Sequence, residues 1–342
     1  MHKALRYESI GENKVKCSLC RHRCVINEGH CGICGVRVNE NGTLYASTYG
    51  KITAEAIDPV EKKPLFHFLP GSDVYSLGGI GCNFRCTHCQ NWQISQSNPD
   101  TCMLRELDPD EAVSRALDSS CQSIAWTYNE PTIWHEYTLD MGNIAGEYGL
   151  GTIYVTNGYM TEEALLELSP MLNAFRVDLK AFSDDFYRKI CGARLQPVLD
   201  SSVVARELGM HVETVTLIIP GLNDSMDEIK ALISWVVENL GPDTPMHFTR
   251  FHPDYKMTEP EATPLKTLEK IYLMAKDLGI NYPYLGNVMA HPFENTYCPE
   301  CNSLLIERSG YNLRFRELDG DRCMSCGEKI PVVRDVKEKE EK

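Results

Sequence analysis

The chain has 342 residues, 43% of them hydrophobic, and sets 34 Lys and Arg against 48 Asp and Glu for a net charge of −14. This is a globular composition of about two domains' length, which excludes disorder for most of the chain; its acidity, with no local basic run, excludes nucleic acid and anionic membrane surfaces as expected partners. No window approaches the ~18 apolar residues of a membrane span, and residues 1–8 lack a signal peptide's apolar stretch, so we expect a cytoplasmic protein whose thiols stay reduced.

Residues 1–70 begin with a cysteine-rich knuckle, Cys17, Cys20, Cys24, Cys31 and Cys34, followed by an extended segment containing Asp58-Pro59 and Pro64-Leu65-Phe66-His67-Phe68. Clustered cysteines in a reducing compartment argue for metal ligation rather than disulfides. Five are present where a tetrahedral ion or an iron–sulfur cluster needs four. Zinc fits the tight Cys17-x2-Cys20 spacing, and an auxiliary [4Fe–4S] cluster fits a path for electrons into the domain that follows.

Residues 71–292 alternate short apolar runs with amphipathic segments. Runs at 74–80, 123–127, 152–156, 175–179, 212–219, 246–250 and 282–285 predict buried strands. With Asp224 as N-cap, Met226, Ile229, Leu232, Ile233, Val236, Val237 and Leu240 trace one helical face. Another helix opens at Thr263-Pro264 and closes at Gly279. Helix-to-strand punctuation recurs at Tyr148-Gly149, Leu208-Gly209 and Leu278-Gly279, which predicts repeated βα units with parallel strands. Six or more such units suggest a complete or partial (β/α) barrel, with chemistry at the C-terminal strand ends; periodicity does not separate the two.

Just after the first of these strands comes Cys82-x3-Cys86-x2-Cys89, in a loop opened by Gly78, Gly79 and Gly81. Chance supplies that pattern about 0.03 times in a chain of this cysteine content. Three thiolates this close can hold three corners of a cubane cluster and leave the fourth iron open, as catalytic metal sites leave a position open. Cys102, Cys121 and Cys191 stand alone and read as small buried hydrophobes.

Residues 293–334 carry Cys298-x2-Cys301 and Cys323-x2-Cys326, with Asn302 and Gly327 placed where each knuckle turns left-handed. This pattern predicts a zinc-ribbon or rubredoxin-like module whose closed four-cysteine site, holding Zn or Fe, is structural. Residues 335–342 form a charged tail expected to be solvated.

The triad loop at the end of a first strand resembles the signature of the radical S-adenosylmethionine (SAM) superfamily. That resemblance implies a partial (β/α)6-type barrel in which Cys82, Cys86 and Cys89 ligate a [4Fe–4S] cluster. The open iron then binds S-adenosylmethionine, and reductive cleavage yields a 5′-deoxyadenosyl radical for hydrogen abstraction. Thr127-Tyr128-Asn129-Glu130-Pro131 stands where the family has Gly-Gly-Glu, so Glu130 is expected to hold the methionine amino group, with Tyr128 and Asn129 replacing the glycines. Thr156-Asn157-Gly158, Asp178-Leu179-Lys180, residues 219–224 and Phe251-His252 are similar to strand-end motifs of pyruvate formate-lyase activating enzymes. Carried over, these give Asn129, Glu130, Asn157, Asp178, Lys180 and His252 as cofactor-binding residues.

The whole chain also resembles the radical enzymes of the AmmeMemoRadiSam system, through the N-terminal cysteines, Asp58-Pro59-x-Glu61-Lys62-Lys63-Pro64-Leu65-Phe66-His67, the triad loop and the C-terminal cysteines. That group implies Cys17, Cys20, Cys24 and Cys34 as the N-terminal ligands, with Cys31 the extra one. It further implies a reductant such as ferredoxin or flavodoxin, and Memo-like and AMMECR-type proteins as partners. The alternatives are an activase that plants a glycyl radical on a partner protein, and a non-catalytic iron–sulfur electron carrier or metal-dependent interaction module.

Overall fold

The computed structural model describes residues 1–99, 102–288 and 290–336. Most of the charged tail, from 337 onward, lies outside the described residues. No helix among the described residues is long and apolar enough to cross a membrane.

The apolar runs form a central eight-stranded sheet of β1 (Ala54–Pro59), β2 (Asp73–Gly78), β3 (Ser123–Trp126), β4 (Gly151–Thr156), β5 (Ala174–Asp178), β6 (His211–Ile218), β7 (Met246–Arg250) and β8 (Pro283–Gly286). These lie in sequential order across the sheet. Strands β2 to β8 are parallel. Strand β1 pairs antiparallel with β2 and makes the sheet mixed; sequence alone leaves it in an extended segment, because nothing local reveals a pairing partner. The edges β1 and β8 do not pair with each other, so the sheet does not close into a complete barrel.

Six helices return the chain between parallel strands: α1 (Pro109–Asp118), α2 (His135–Glu147), α3 (Glu162–Leu168), α4 (Gln196–Glu207), α5 (Met226–Asn239) and α6 (Leu265–Asp277). Helix α5 starts one residue later than its expected cap. Ser225 occupies the N-cap position, while Asp224 turns back to accept from Gly221 N at 2.8 Å.

Successive side chains on a strand face opposite ways, and here the two faces differ in chemistry. Ile124, Trp126, Tyr154, Phe175, Val177, Val212 and Phe248 pack in the main core with the helices. On the other face, Ala125, Ile153 and Ala174 pack with Val60, Leu65, Phe68 and Leu69 of the segment after β1. That segment fills one end of the concave side and leaves a cavity at the other.

The filling segment is anchored by a buried carboxylate. Glu213 on β6 accepts from the backbone N of Phe66 (3.0 Å) and His67 (2.8 Å), and lies 2.9 Å from His211 Nε2 and 2.7 Å from His247 Nε2. Burial opposes its ionisation, yet these two histidines hold its carboxyl well below the usual carboxylate range. Arg308, from the antiparallel sheet of Thr296–Tyr297, Leu304–Ser309 and Asn312–Phe315, donates to Phe66 O at 2.9 Å and stacks 4.1 Å above the Phe66 ring, docking the C-terminal module on the same segment. At the other end of the chain, Arg37 forks onto Glu136 of α2 at 2.8 and 2.6 Å and ties the N-terminal module to the sheet's helical layer.

Removing Glu213 strands several buried donors at once. We expect Glu213→Ala to cost about 3–5 kcal/mol, read as a fall in the urea unfolding midpoint; an unchanged midpoint refutes this anchoring role.

Candidate metal and cofactor site

A cavity of about 450 Å³ opens at the C-terminal ends of the parallel strands, within the ~300–1,000 Å³ range of small-molecule sites. Cys82, Cys86 and Cys89 line it, all on the loop after β2, with Cys82 and Cys86 buried and Cys89 partly so. The loop has few ladder partners of its own, so neighbours supply them. Asn129 accepts from Gly79 N at 3.1 Å and donates to Gly81 O at 2.9 Å. Asn91 donates to Tyr128 O, and Arg85 N and Thr87 N donate to Cys191 O and Ile190 O. Gly81, at φ +83°, is required: a Cβ there would lie 2.5 Å from Cys34 O.

Glu130, after β3, is fully buried. Its Oε1 accepts from Thr132 N, Thr132 Oγ1 and Thr156 Oγ1 at 2.6–3.0 Å, and its Oε2 from Asn157 N at 2.7 Å. Burial pushes its pKa up, with these donors opposing. A carboxylate offers about four acceptor sites, and Oε2 carries a single donor, so that oxygen retains capacity. Asn157, after β4, connects the two halves of the site: its Nδ2 reaches Asn83 Oδ1 at 2.8 Å and Cys82 Sγ at 3.8 Å.

Asp178 at the end of β5 accepts from Lys180 Nζ at 2.8 Å and from Arg176 on the same strand face. Burial raises its pKa, but those two cations outweigh it and hold Asp178 at about 2. Asn223 fixes the turn by donating to Lys180 O at 2.7 Å. Asn129, Glu130, Asn157, Asp178 and Lys180 thus share the cavity with the triad. His252 does not; it is exposed beyond the lining, with Nε2 3.0 Å from Gln90 Nε2.

Arg176 belongs to none of the sequence motifs yet lines the cavity; a charged residue inside an apolar strand run could have flagged it. Lys63, within the Asp58 to His67 motif, lines the cavity as well. Cys191 is fully buried in the main core, as expected of a small hydrophobe, and its backbone oxygen accepts from Arg85 N of the triad loop.

Sulfur spacing separates the cysteine groups. Four sulfurs on one tetrahedral ion at 2.3 Å sit about 3.8 Å apart. Cys298 and Cys326 are 3.6 Å apart, as are Cys301 and Cys323. Among the described residues, these four make up the set of metal-ligating side chains whose ligand atoms all lie within 4.8 Å of one another. Asn302 and Gly327 sit at φ 59° and 81°, as their knuckles require. The triad sulfurs do not all lie within 4.8 Å of one another. The four N-terminal cysteines Cys17, Cys20, Cys24 and Cys34 border a second, smaller cavity, and Cys31 is exposed.

A cysteine triad lines the cavity at the mouth of this parallel α/β sheet, and residues 77–236 match the Radical SAM superfamily. That family implies a [4Fe–4S] cluster and S-adenosylmethionine, and the donors lining the cavity fit both. Over 335 residues it is 48% identical to the uncharacterized protein MJ0808 of Methanocaldococcus jannaschii, covering 97% of this chain and 100% of that one. The pyruvate formate-lyase-activating enzyme of Clostridium pasteurianum is 25% identical over 221 residues, 58% of this chain and 88% of that one. Streptococcus suis SuiB, solved with its precursor peptide SuiA, shares the fold at a TM-score of 0.51 and 13% identity, over 67% of this chain and 51% of that one.

Asn129→Ala would leave Gly79 N and Gly81 O without their tethers, at about 1–3 kcal/mol for each group left unsatisfied. We expect reconstituted protein to retain less than half the wild-type iron at the triad by colorimetric assay. Full retention would show that the loop holds itself.

Proposed function

We propose that the chain is an enzyme that binds a [4Fe–4S] cluster through Cys82, Cys86 and Cys89 and uses it to cleave S-adenosylmethionine reductively, for hydrogen abstraction from a substrate in the same cavity. The supporting observation is the placement of three thiols around one cavity with the buried Glu130 and Asn157. When bound, the cluster supplies one electron to the sulfonium, which releases methionine and a 5′-deoxyadenosyl radical.

The chain's own residues divide the remaining work. Glu130 offers Oε2 to the methionine ammonium. Asn157 orients that carboxylate through its backbone N and steadies Cys82 through its side chain. Lys180 is the cation for a carboxylate, kept charged by Asp178. The cavity walls keep water from the reacting centre. The C-terminal four-cysteine site is read as a structural zinc-ribbon staple. The resemblance to the AmmeMemoRadiSam radical enzymes supports Memo-like and AMMECR-type partners and a ferredoxin or flavodoxin donor, and a reducible cluster suits the cytoplasm.

The Clostridium pasteurianum relative favours a second reading, an activase that forms a glycyl radical on a partner protein. A glycyl electron paramagnetic resonance (EPR) signal on a candidate partner, dependent on this chain, would decide for it.

The central test is anaerobic. With dithionite and S-adenosylmethionine, wild-type protein is expected to form 5′-deoxyadenosine while Cys86→Ala falls at least about 100-fold, as expected when a cofactor ligand is lost. Equal yields, or none from cluster-loaded wild type, overturn the mechanism and favour a non-catalytic carrier. For the C-terminal site, Cys301→Ser is expected to lose about one metal ion per chain and the cooperative unfolding of the module. Metal analysis showing no change in that variant would refute the staple.

A further inference from the structure

We infer that the substrate carries an anionic oxygen group, a carboxylate or a phosphate, held at the deep end of the cavity by Lys63 and Arg176 with Lys62 at its edge; calling this ligand the substrate rests on the reaction proposed above.

Charge is unbalanced in this region. Asp58 pairs with Lys62 at 2.6 Å and Lys63 at 2.5 Å, and Asp178 pairs with Lys180 at 2.8 Å and with Arg176. Four cations therefore share two carboxylates, in a chain whose net charge is −14. All four line the cavity. Burial opposes the ionisation of both carboxylates, yet their cations, with Tyr128 beside Asp58, hold each below the usual carboxylate range. In the proposed reaction Lys180 meets the methionine carboxylate, and Glu130 meets the ammonium. One cationic group is then left without an anion.

The remaining cations are buried and have donors to spare. Lys63 is 4% exposed and Arg176 8%. Nη1 of Arg176 donates to Asp178, while its Nε is a buried donor with no hydrogen-bond partner among the described residues. An orphaned donor is costly in a packed interior. Burial presses Lys63 below the usual ammonium range; Asp58 opposes this, and the charges of Lys62 and Arg176 add to it. A bound anion would offset both penalties.

Depth separates this group from the residues assigned to the cofactor. Side chains two positions apart on a strand share a face and stand about 6–7 Å apart, so Arg176 lies that far below Asp178 on β5. Asp58 pairs in register with Val74, at the start of β2, and the Tyr128 hydroxyl reaches it from beyond the end of β3. Lys63 is fixed between them by Asp58 and by the Tyr128 ring, 4.9 Å from its Nζ. At the level of Arg176, its register partner Val155 gives the cavity an apolar wall. A substrate anchored below by its anion therefore extends its carbon skeleton upward, toward the triad at the strand ends.

The test is a titration of cluster-loaded full-length protein, saturated with S-adenosylmethionine, without reductant and at constant ionic strength. Inorganic phosphate or succinate should bind saturably by calorimetry, and comparing the two decides between phosphate and carboxylate. Arg176→Gln and Lys63→Gln should each weaken the better anion at least about tenfold, as for a lost hydrogen bond to a charged group, and Arg176→Lys should recover most of it. Binding of neither anion to the wild type overturns the inference. So does competition between the anion and S-adenosylmethionine, which would assign these cations to the methionine carboxylate. Unchanged affinity in both variants, each folded by circular dichroism, would place the anion elsewhere and overturn it as well. The wild-type arms need no variant to fold. Dithionite added to the same samples reads the proposed reaction separately: an anion bound as expected with no 5′-deoxyadenosine formed would fault that reaction and leave the anion site standing.

Discussion

A loop that presents three sulfurs to one centre cannot run as helix or strand, so its backbone must find hydrogen bonds elsewhere. This constraint organises the site. The residues from Gly79 to Asn91 are tied by Asn129 after β3, by Asn157 through Asn83 after β4, and by the backbone of Ile190 and Cys191 after β5. Three successive strand ends therefore hold a loop that begins at a fourth. Asparagine suits this work because one amide both donates and accepts, and Asn129 does both at once.

The same constraint explains the departure from Gly-Gly-Glu. Tyr128 sits at φ 73°, where a non-glycine residue is strained. It persists because its side chain is held. The hydroxyl donates to Asp58 at 2.8 Å, Lys63 Nζ lies 4.9 Å above the ring, and Lys63 in turn pairs with Asp58. Gly78 makes the room, since a Cβ there would meet Tyr128 at 2.9 Å. The Asp58 to Pro64 motif is thus the counterpart of the tyrosine, and the segment after β1 supports the cavity as well as filling the sheet's concave side.

How much of this was readable in the sequence follows from which interactions are local. The seven parallel strands lie within about two residues of the apolar runs that predict them, because both strand faces are covered and the runs are nearly continuous. The triad and the two C-terminal knuckles were readable from spacing. Strand β1 was not, since its partner is set by tertiary pairing, and its residues Glu55 and Asp58 interrupt any apolar run. The cap of α5 shifted because Asp224 found a nearer donor in Gly221 N. Glu130 was found by its resemblance, but its four donors come from Thr132, Thr156 and Asn157 and appear only when strands align. His252 lies two residues past the end of β7, and the turn that follows carries it outward to Gln90.

The three cysteine groups show why spacing in sequence does not by itself name a metal. Each contains a Cys-x2-Cys pair. In the C-terminal module two such pairs are brought face to face by a short antiparallel sheet, and their sulfurs converge to 3.6 Å. In the triad one pair, Cys86 and Cys89, is completed by Cys82 at the strand exit, and in the N-terminal group the pairs Cys17-x2-Cys20 and Cys31-x2-Cys34 flank Cys24. These two groups are pinned by other contacts, Cys82 by Gly81 against Cys34 O, and Cys34 by the neighbouring Arg37–Glu136 fork. The scaffold, rather than the ligand pattern, sets the volume between the thiols, and that volume determines what they can hold.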